Sequence, residues 1–369
     1  MIRTSSRSRG SDVSFNPARL ELAMDRRRLT ARALAELADI TVVSLSQIKT
    51  GKQVPQEATV QRIADAVEYP LAFFYGGDVD TLPAEAVSFR SLSSVTQRER
   101  NAAIAAGGIA YLVADWLHSK YEFPKPNLVD AGPERDPATA ARALRQEWGL
   151  GEKPIGNLIK LLEAKGIRVF SLAENTKNVD AFSCWRNDEP FIFLNTFKTT
   201  ERSRFDAAHE LGHLVMHKHG GSNQGQQAEA EANAFASSFL MPRADVIAEM
   251  PRIQSLRQII SGKKRWGVSA AALTYRLHKI SLISDWQYRT FNIQLRTDFG
   301  SSEPDSLPRE TSALWKKVLD DLWEQKMTRA DIADQLDIPH GELENLLFGL
   351  TAASDDPPAR NLRPTLAIV

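Results

Sequence analysis

The chain has 369 residues, 43% hydrophobic and 25% charged, the values of a folded globular protein long enough for two or three domains. Its 46 basic and 46 acidic side chains cancel, which excludes a global pull toward nucleic acid or membrane and leaves only local patches. A single cysteine, Cys184, excludes an internal disulfide. No stretch has the length of a membrane span and no apolar signal core opens the chain, so a cytoplasmic location is expected.

Residues 1–15 are rich in Ser and Arg and read as a flexible tail. From residue 16 to 76 the pattern is helical in short pieces. Leu20, Leu22 and Ala23 suit a first helix; Thr30 caps a second with Leu34, Ala35 and Ala38; Thr41 caps a third with Leu45 and Ile48 inward, ended by Gly51. Thr59, Ile63, Ala64 and Val67 line a fourth, and Leu71, Phe73 and Phe74 close a small core. Short helices at this spacing predict a helix-turn-helix domain.

Residues 77–150 read as a linker followed by a helical connector. The linker, 77–95, contains Gly77, Pro83 and several serines; a long helix over 96–119 carries Ile104, Ile109, Leu112, Val113, Trp116 and Leu117. Gly107 and Gly108 inside it predict close packing or a bend. Asp136 to Trp148 and Pro154 to Ala164 are further predicted helices.

Residues 151–285 hold the chemistry. Strands are expected at 167–170, 179–185 and 190–195, forming a small antiparallel sheet, with the last at the edge above the site, where it holds an extended substrate. Residues 209–213 read His-Glu-Leu-Gly-His on a helix whose apolar stripe is Phe205, Leu211, Leu214 and Val215. Positions i and i+4 share a helix face, so His209 and His213 can bind one metal ion while Glu210 holds a water as general base, the gluzincin-like arrangement. A second helix, beginning near Glu229 and carrying Ala232, Phe235, Ala236 and Phe239 inward, supplies a glutamate as third ligand. Glu231, 18 residues after His213 (231 − 213 = 18), is the expected one and Glu229 the alternative, otherwise a solvated carboxylate at a helix N-terminus. His217 and His219 follow the helix and read as loop residues. Tyr275 or His278 is a candidate oxyanion stabiliser, against a plain packing role. Zinc is the expected metal, though manganese or iron (Mn2+ or Fe2+) suits the same donors.

Beyond residue 285 the pattern is less informative. Residues 291–295 alternate like a strand, Leu314, Val318, Leu319 and Leu322 mark a helix, and 328–350 carry apolar residues in short helical pieces. These pieces read as a second helix-turn-helix or as a hairpin for packing or homodimer contact. Residues 351–369 read as a frayed tail.

The runs Arg204–His213, Glu231–Ala236, Phe239–Pro242 and Lys264–Ser269 with Ala272–Leu277 resemble the ImmA/IrrE family of metallopeptidases over roughly residues 155–282. The resemblance implies His209, His213 and Glu231 as zinc ligands, Glu210 as base, and cleavage of a DNA-binding repressor. Leu29-Thr30, Leu34-Ala35, Ile40-Thr41, Leu45-Ser46, Ile48, Gly51-Lys52, Pro55 and Ile63-Ala64 resemble the Xre/Cro family over roughly 16–76. That implies a third helix in the major groove, with Ser44 and Gln47 toward bases and Arg27, Arg28, Arg32, Lys49 and Lys52 toward phosphates. Ala31 and Val42 stand where that family often has glutamine; DNA binding is still the expected role, with Gln47 left as a base reader, and docking to a related protein domain is the alternative.

The expected fold is α+β, mostly α: a helix-turn-helix domain, a connector, a metallopeptidase domain over 151–285 and a C-terminal strand and helical region over 286–350. The expected function is zinc-dependent endopeptidase action on a helix-turn-helix repressor or on the chain itself within 77–95. The alternatives are a transcription regulator using the peptidase fold as a sensor, and the antitoxin of a toxin–antitoxin pair.

Overall fold

The computed structural model describes residues 14–82, 96–132, 136–172, 181–218 and 225–351. The two tails (1–13 and 352–369), most of the linker, residues 179–180 of the second expected strand, and His219 lie outside them. Among the described residues the fold is α+β and mostly α, with sixteen α-helices and one three-stranded sheet. No described helix is long and apolar enough to cross a membrane.

The first three helices follow their capping residues. Asn16 accepts from Ala18 N and Pro17 stands in the first turn of α1 (Pro17–Arg26). Thr30 accepts from Ala33 N to start α2 (Ala31–Leu37), and Thr41 from Ser44 N to start α3 (Val42–Lys49). Gly51, at φ +68°, turns the chain out of α3. After α4 (Glu57–Val67) a 3₁₀ turn, Leu71–Tyr75, brings Phe73 and Phe74 under the domain.

This domain is not isolated. Helix α5 (Gln97–His118) packs along α1 and the segment 79–82, and its two central glycines allow that approach. A Cβ on Gly107 would overlap the Leu82 side chain, and one on Gly108 would meet Leu22 Cδ1 at 3.1 Å. The residues read as bend or close packing are therefore close packing. One continuous core joins Leu20 and Phe73, the α5 side chains Ile109 and Val113, the sheet phenylalanines Phe170, Phe191 and Phe193, and Trp315 and Leu346 from the C-terminal region.

Helices α6 (Pro137–Glu147) and α7 (Leu158–Ala164) lead to the sheet. The second starts at its cap Asn157, which accepts from Lys160 N, and so is shorter than the run from Pro154. The sheet has strands β1 (Arg168–Ser171), β2 (Phe182–Arg186) and β3 (Glu189–Leu194) in the order β1-β3-β2. Two expectations change here. β3 is the central strand, so the edges are β1 and β2. The sheet is mixed, because β1 runs parallel to β3 while β2 is antiparallel to it. The cause is the two-residue turn Asn187-Asp188, both at positive φ, which folds β3 back on β2 and slots it beside β1.

Helix α8 (Thr200–Met216) lies on the sheet, and α9 (Gln226–Leu240) packs on α8. They come close because Gly212 has no side chain: a Cβ there would meet Phe235 Cδ1 at 3.0 Å and Ala232 Cα at 3.3 Å. Helices α10 (Arg243–Glu249), α11 (Leu256–Trp266) and α12 (Ala270–Lys279) complete the second core.

Residues 291–295 are helical rather than extended, within α13 (Asp285–Phe299). The alternation of Phe291, Ile293 and Leu295 is overridden by the series Phe291, Leu295, Phe299 at intervals of four, which faces the second core, while Ile293 is exposed. The capping box of Ser284 and Gln287 fixes the helix start. Helices α14 (Ala313–Glu324), α15 (Arg329–Gln335) and α16 (His340–Leu347) follow, the last two as the expected short pieces. Glu163 of α7 accepts from the Ala313 and Leu314 amides, which ties α14 to α7 beside the sheet.

Candidate metal centre

The His-Glu-Leu-Gly-His run lies in the middle of α8, whose N-cap Thr199 accepts from Arg202 N. Ala207, Ala208, Leu211, Leu214 and Val215 bury one face. His209 and His213, one turn apart, point their Nε2 atoms at the same spot, 3.1 Å from each other. The third group there is Glu229, in the first turn of α9: its Oε2 lies 3.3 Å from His209 Nε2 and its Oε1 3.4 Å from His213 Nε2. Among the described residues these three form the group whose donor atoms all lie close enough to share an ion. With Zn–N and Zn–O distances of 2.0–2.1 Å, neighbouring ligands of a tetrahedral zinc are about 3.3 Å apart. The three spacings observed fit that figure, and two imidazoles with one carboxylate are a donor set zinc accepts.

Glu231 stands elsewhere. Its Oε2 meets His217 Nε2 at 3.0 Å and its Oε1 accepts from Gln227 Nε2. His217 in turn places Nδ1 3.0 Å from His213 Nδ1. On the other histidine, Asn233 Oδ1 lies 3.2 Å from His209 Nδ1. Each candidate histidine is thus held from behind, the support that fixes the ring of a metal-binding histidine. Burial lowers the His217 pKa despite Glu231, favouring the neutral ring. Glu229 is the alternative ligand read from the sequence; the supporting roles of His217 and Asn233 were not singled out by sequence pattern. Glu229 and Asn233 are one turn apart and face His209 together, a signal an i,i+4 reading of α9 could have found.

Glu210 is 3% exposed and lies against β2. Ser183 of β2 donates to Glu210 Oε2 at 2.8 Å. Burial pushes this carboxyl up to about 7, against the opposing pull of His213 and Ser183. A carboxylate poised near neutrality can both take and return a proton. Next along β2, Cys184 is buried with its thiol pushed up to about 12 and Tyr111 Oη at 3.1 Å; it is a strand residue, not a nucleophile.

Tyr275 and His278 are not brought into this group. Tyr275 is exposed on α12 with Lys279 Nζ over its ring, and His278 pairs with Asp285 at 2.6 Å and stacks on Tyr288. Neither makes a hydrogen bond or ring contact with His209, Glu210 or His213.

At the helix-turn-helix domain the expected contacts divide. Arg27 faces inward: it hydrogen-bonds the Val67 and Glu68 carbonyls, lies over the Tyr69 ring and pairs with Glu342 at 3.3 Å. Lys49 pairs with Glu21. Arg32, Ser44, Gln47 and Lys52 lie at the surface near α2 and α3, Ser44 within reach of Gln53, and Arg28 turns the chain after α1 at positive φ. The same face exposes Val42 and Val43.

Comparison with known families agrees with this geometry. Residues 162–278 match a peptidase family described as the IrrE N-terminal-like domain. Residues 18–72 match a family described as a helix-turn-helix domain. No curated protein matches the chain. The chain therefore joins a helix-turn-helix domain to an IrrE-like domain of metallopeptidase type.

Proposed function

We propose that the chain is a zinc-dependent metalloendopeptidase of gluzincin type, acting in the cytoplasm on a protein recognised through its helix-turn-helix domain. The observation that supports this best is the convergence of His209, His213 and Glu229 beside Glu210. His209, His213 and Glu229 hold the metal. Glu231 supports His217 behind them instead of serving as the ligand. When bound, zinc supplies Lewis acidity and a water of lowered pKa.

The remaining chemistry falls to side chains of this chain. Glu210 orients the attacking water, accepts its proton and returns it to the leaving amine. Ser183 holds one oxygen of Glu210 so that the other faces the reaction. Edge strand β2, not β3, offers the main-chain hydrogen bonds on which an extended peptide can lie. The substrate is a helix-turn-helix repressor. Exposed Val42 and Val43 on the expected reading helix, together with the commitment of Arg27 to Glu342, favour a protein partner over a specific DNA sequence at that face.

The test begins with metal content by mass spectrometry. One zinc per chain in the wild type and none in His209→Ala supports the centre. A wild type that stays empty after incubation with zinc or manganese favours the alternative, a regulator that keeps the peptidase fold as a sensor.

A further inference from the structure

On the side of the molecule built by α6, the α9–α10 junction and the end of α12 lies an open cleft of about 960 Å³. It is within the size range of small-molecule sites. Arg142, Arg145, Arg243, Arg276 and Lys279 line it, against one carboxylate, Glu152.

Two of these cations are built in. Arg145 is 3% exposed and spends all three guanidinium nitrogens on the Gly151, Phe239 and Lys153 carbonyls. Arg276 is 9% exposed; Nε donates to the Met241 carbonyl at 3.0 Å and Nη1 to Ser238 Oγ at 3.1 Å, while Nη2 has no hydrogen-bond partner among the described residues. Among the described residues Arg276 has no carboxylate in contact, whereas Glu152 and Asp245 act on Arg145 through space. Burial, and then the neighbouring charge of Arg243, push the Arg276 pKa down to about 10. At the rim, Arg243 makes no ion pair or hydrogen bond with any described residue, Lys279 Nζ lies over the Tyr275 ring, and Arg142 donates to Thr139. The nearby Asp245 is committed to Arg265 and Trp266. A held cation without an anion, as at Arg276, raises the free energy of the fold unless something else neutralises it.

We propose that this cleft is a binding site for a phosphorylated small molecule of nucleotide size, with Arg276 at its floor and Arg243 and Lys279 closing on the phosphates. Guanidinium groups suit a phosphate because their paired N–H donors match its oxygens. The site is separate from the metal centre and does not depend on the proposed peptidase activity. It touches the last turn of α9, whose first turn carries Glu229, so an occupant would press on the helix that completes the metal group.

Calorimetric titration of the full-length protein with ATP, inorganic pyrophosphate and adenosine tests the proposal. ATP and pyrophosphate should bind and adenosine should not. The double variant Arg243→Ala with Lys279→Ala, both exposed positions, should weaken ATP at least tenfold with zinc content unchanged. Arg32→Ala, in the helix-turn-helix domain, should leave ATP binding as it was. Binding of neither phosphate compound, equal binding of adenosine, or undiminished ATP binding in the double variant would overturn it. So would a duplex DNA oligonucleotide that binds in place of ATP and is lost in the double variant.

Discussion

Ser183 Oγ donates to Glu210 Oε2 at 2.8 Å, so a residue of edge strand β2 sets the orientation of a carboxylate that α8 carries. Ser183→Ala should retain zinc and lower peptide cleavage about tenfold, the worth of roughly one hydrogen bond to a charged group. Glu210→Gln should retain zinc and lower cleavage at least about a hundredfold, the usual contribution of a general base. Rates on a terminally labelled peptide library measure both. Wild-type rates in Glu210→Gln would remove it from the chemistry.

Glu229→Ala should strip the metal, whereas Glu231→Ala should leave it bound with affinity reduced roughly 10- to 100-fold, as for a group that supports a ligand from behind. Competition with a zinc-binding dye separates the two. The reverse order of effects would return the ligand role to Glu231.

Glu342 of α16 is 2% exposed and accepts from Arg26, Arg27 and Tyr69, all in the helix-turn-helix domain. Glu342→Ala leaves two arginines facing a vacated carboxylate site and should cost about 3 kcal/mol or more. Urea denaturation followed by tryptophan fluorescence measures it. A midpoint equal to that of the wild type would show the cluster to be energetically idle.

Hydrogen bonds from Arg265, strengthened by Trp266, hold the Asp245 carboxyl below its ordinary range. Its folded pKa is lower than its unfolded one, so its contribution is fully present above about pH 4 and is lost as the pH falls through the folded value. Asp245→Asn should therefore be less stable than wild type at pH 7, with the gap closing below pH 4. A gap that is constant with pH would point to lost packing, not lost charge.

The elements that chain chemistry fixes locally were legible in advance. Thr30, Thr41 and Asp136 cap the helices expected of them, and the spacing of His209 and His213 locates the metal pair. What was not legible depends on how elements meet. Glu229 and Glu231 are two residues apart, about 200° around a helix, so choosing between them requires the angle at which α9 crosses α8, and Gly212 sets that closeness. The central place of β3 needed its pairing with β1, a partner about 20 residues earlier that no short-range pattern announces. Arg27 looked like a phosphate contact because its partner Glu342 lies 315 residues away.

The shared core that runs from Leu20 through α5 to Phe191 and Leu346 has a mechanical meaning. A reader domain on a loose tether would sweep a volume and could deliver many segments to the scissile position. Here the α3 face moves as one body with the back of the sheet. Under the proposed function, a partner gripped at α3 reaches the zinc along one path only. The molecule then behaves as a caliper: the cut falls where the partner's chain spans a set gap, and lengthening or shortening that span should shift the cleavage position without any change in the residues cleaved.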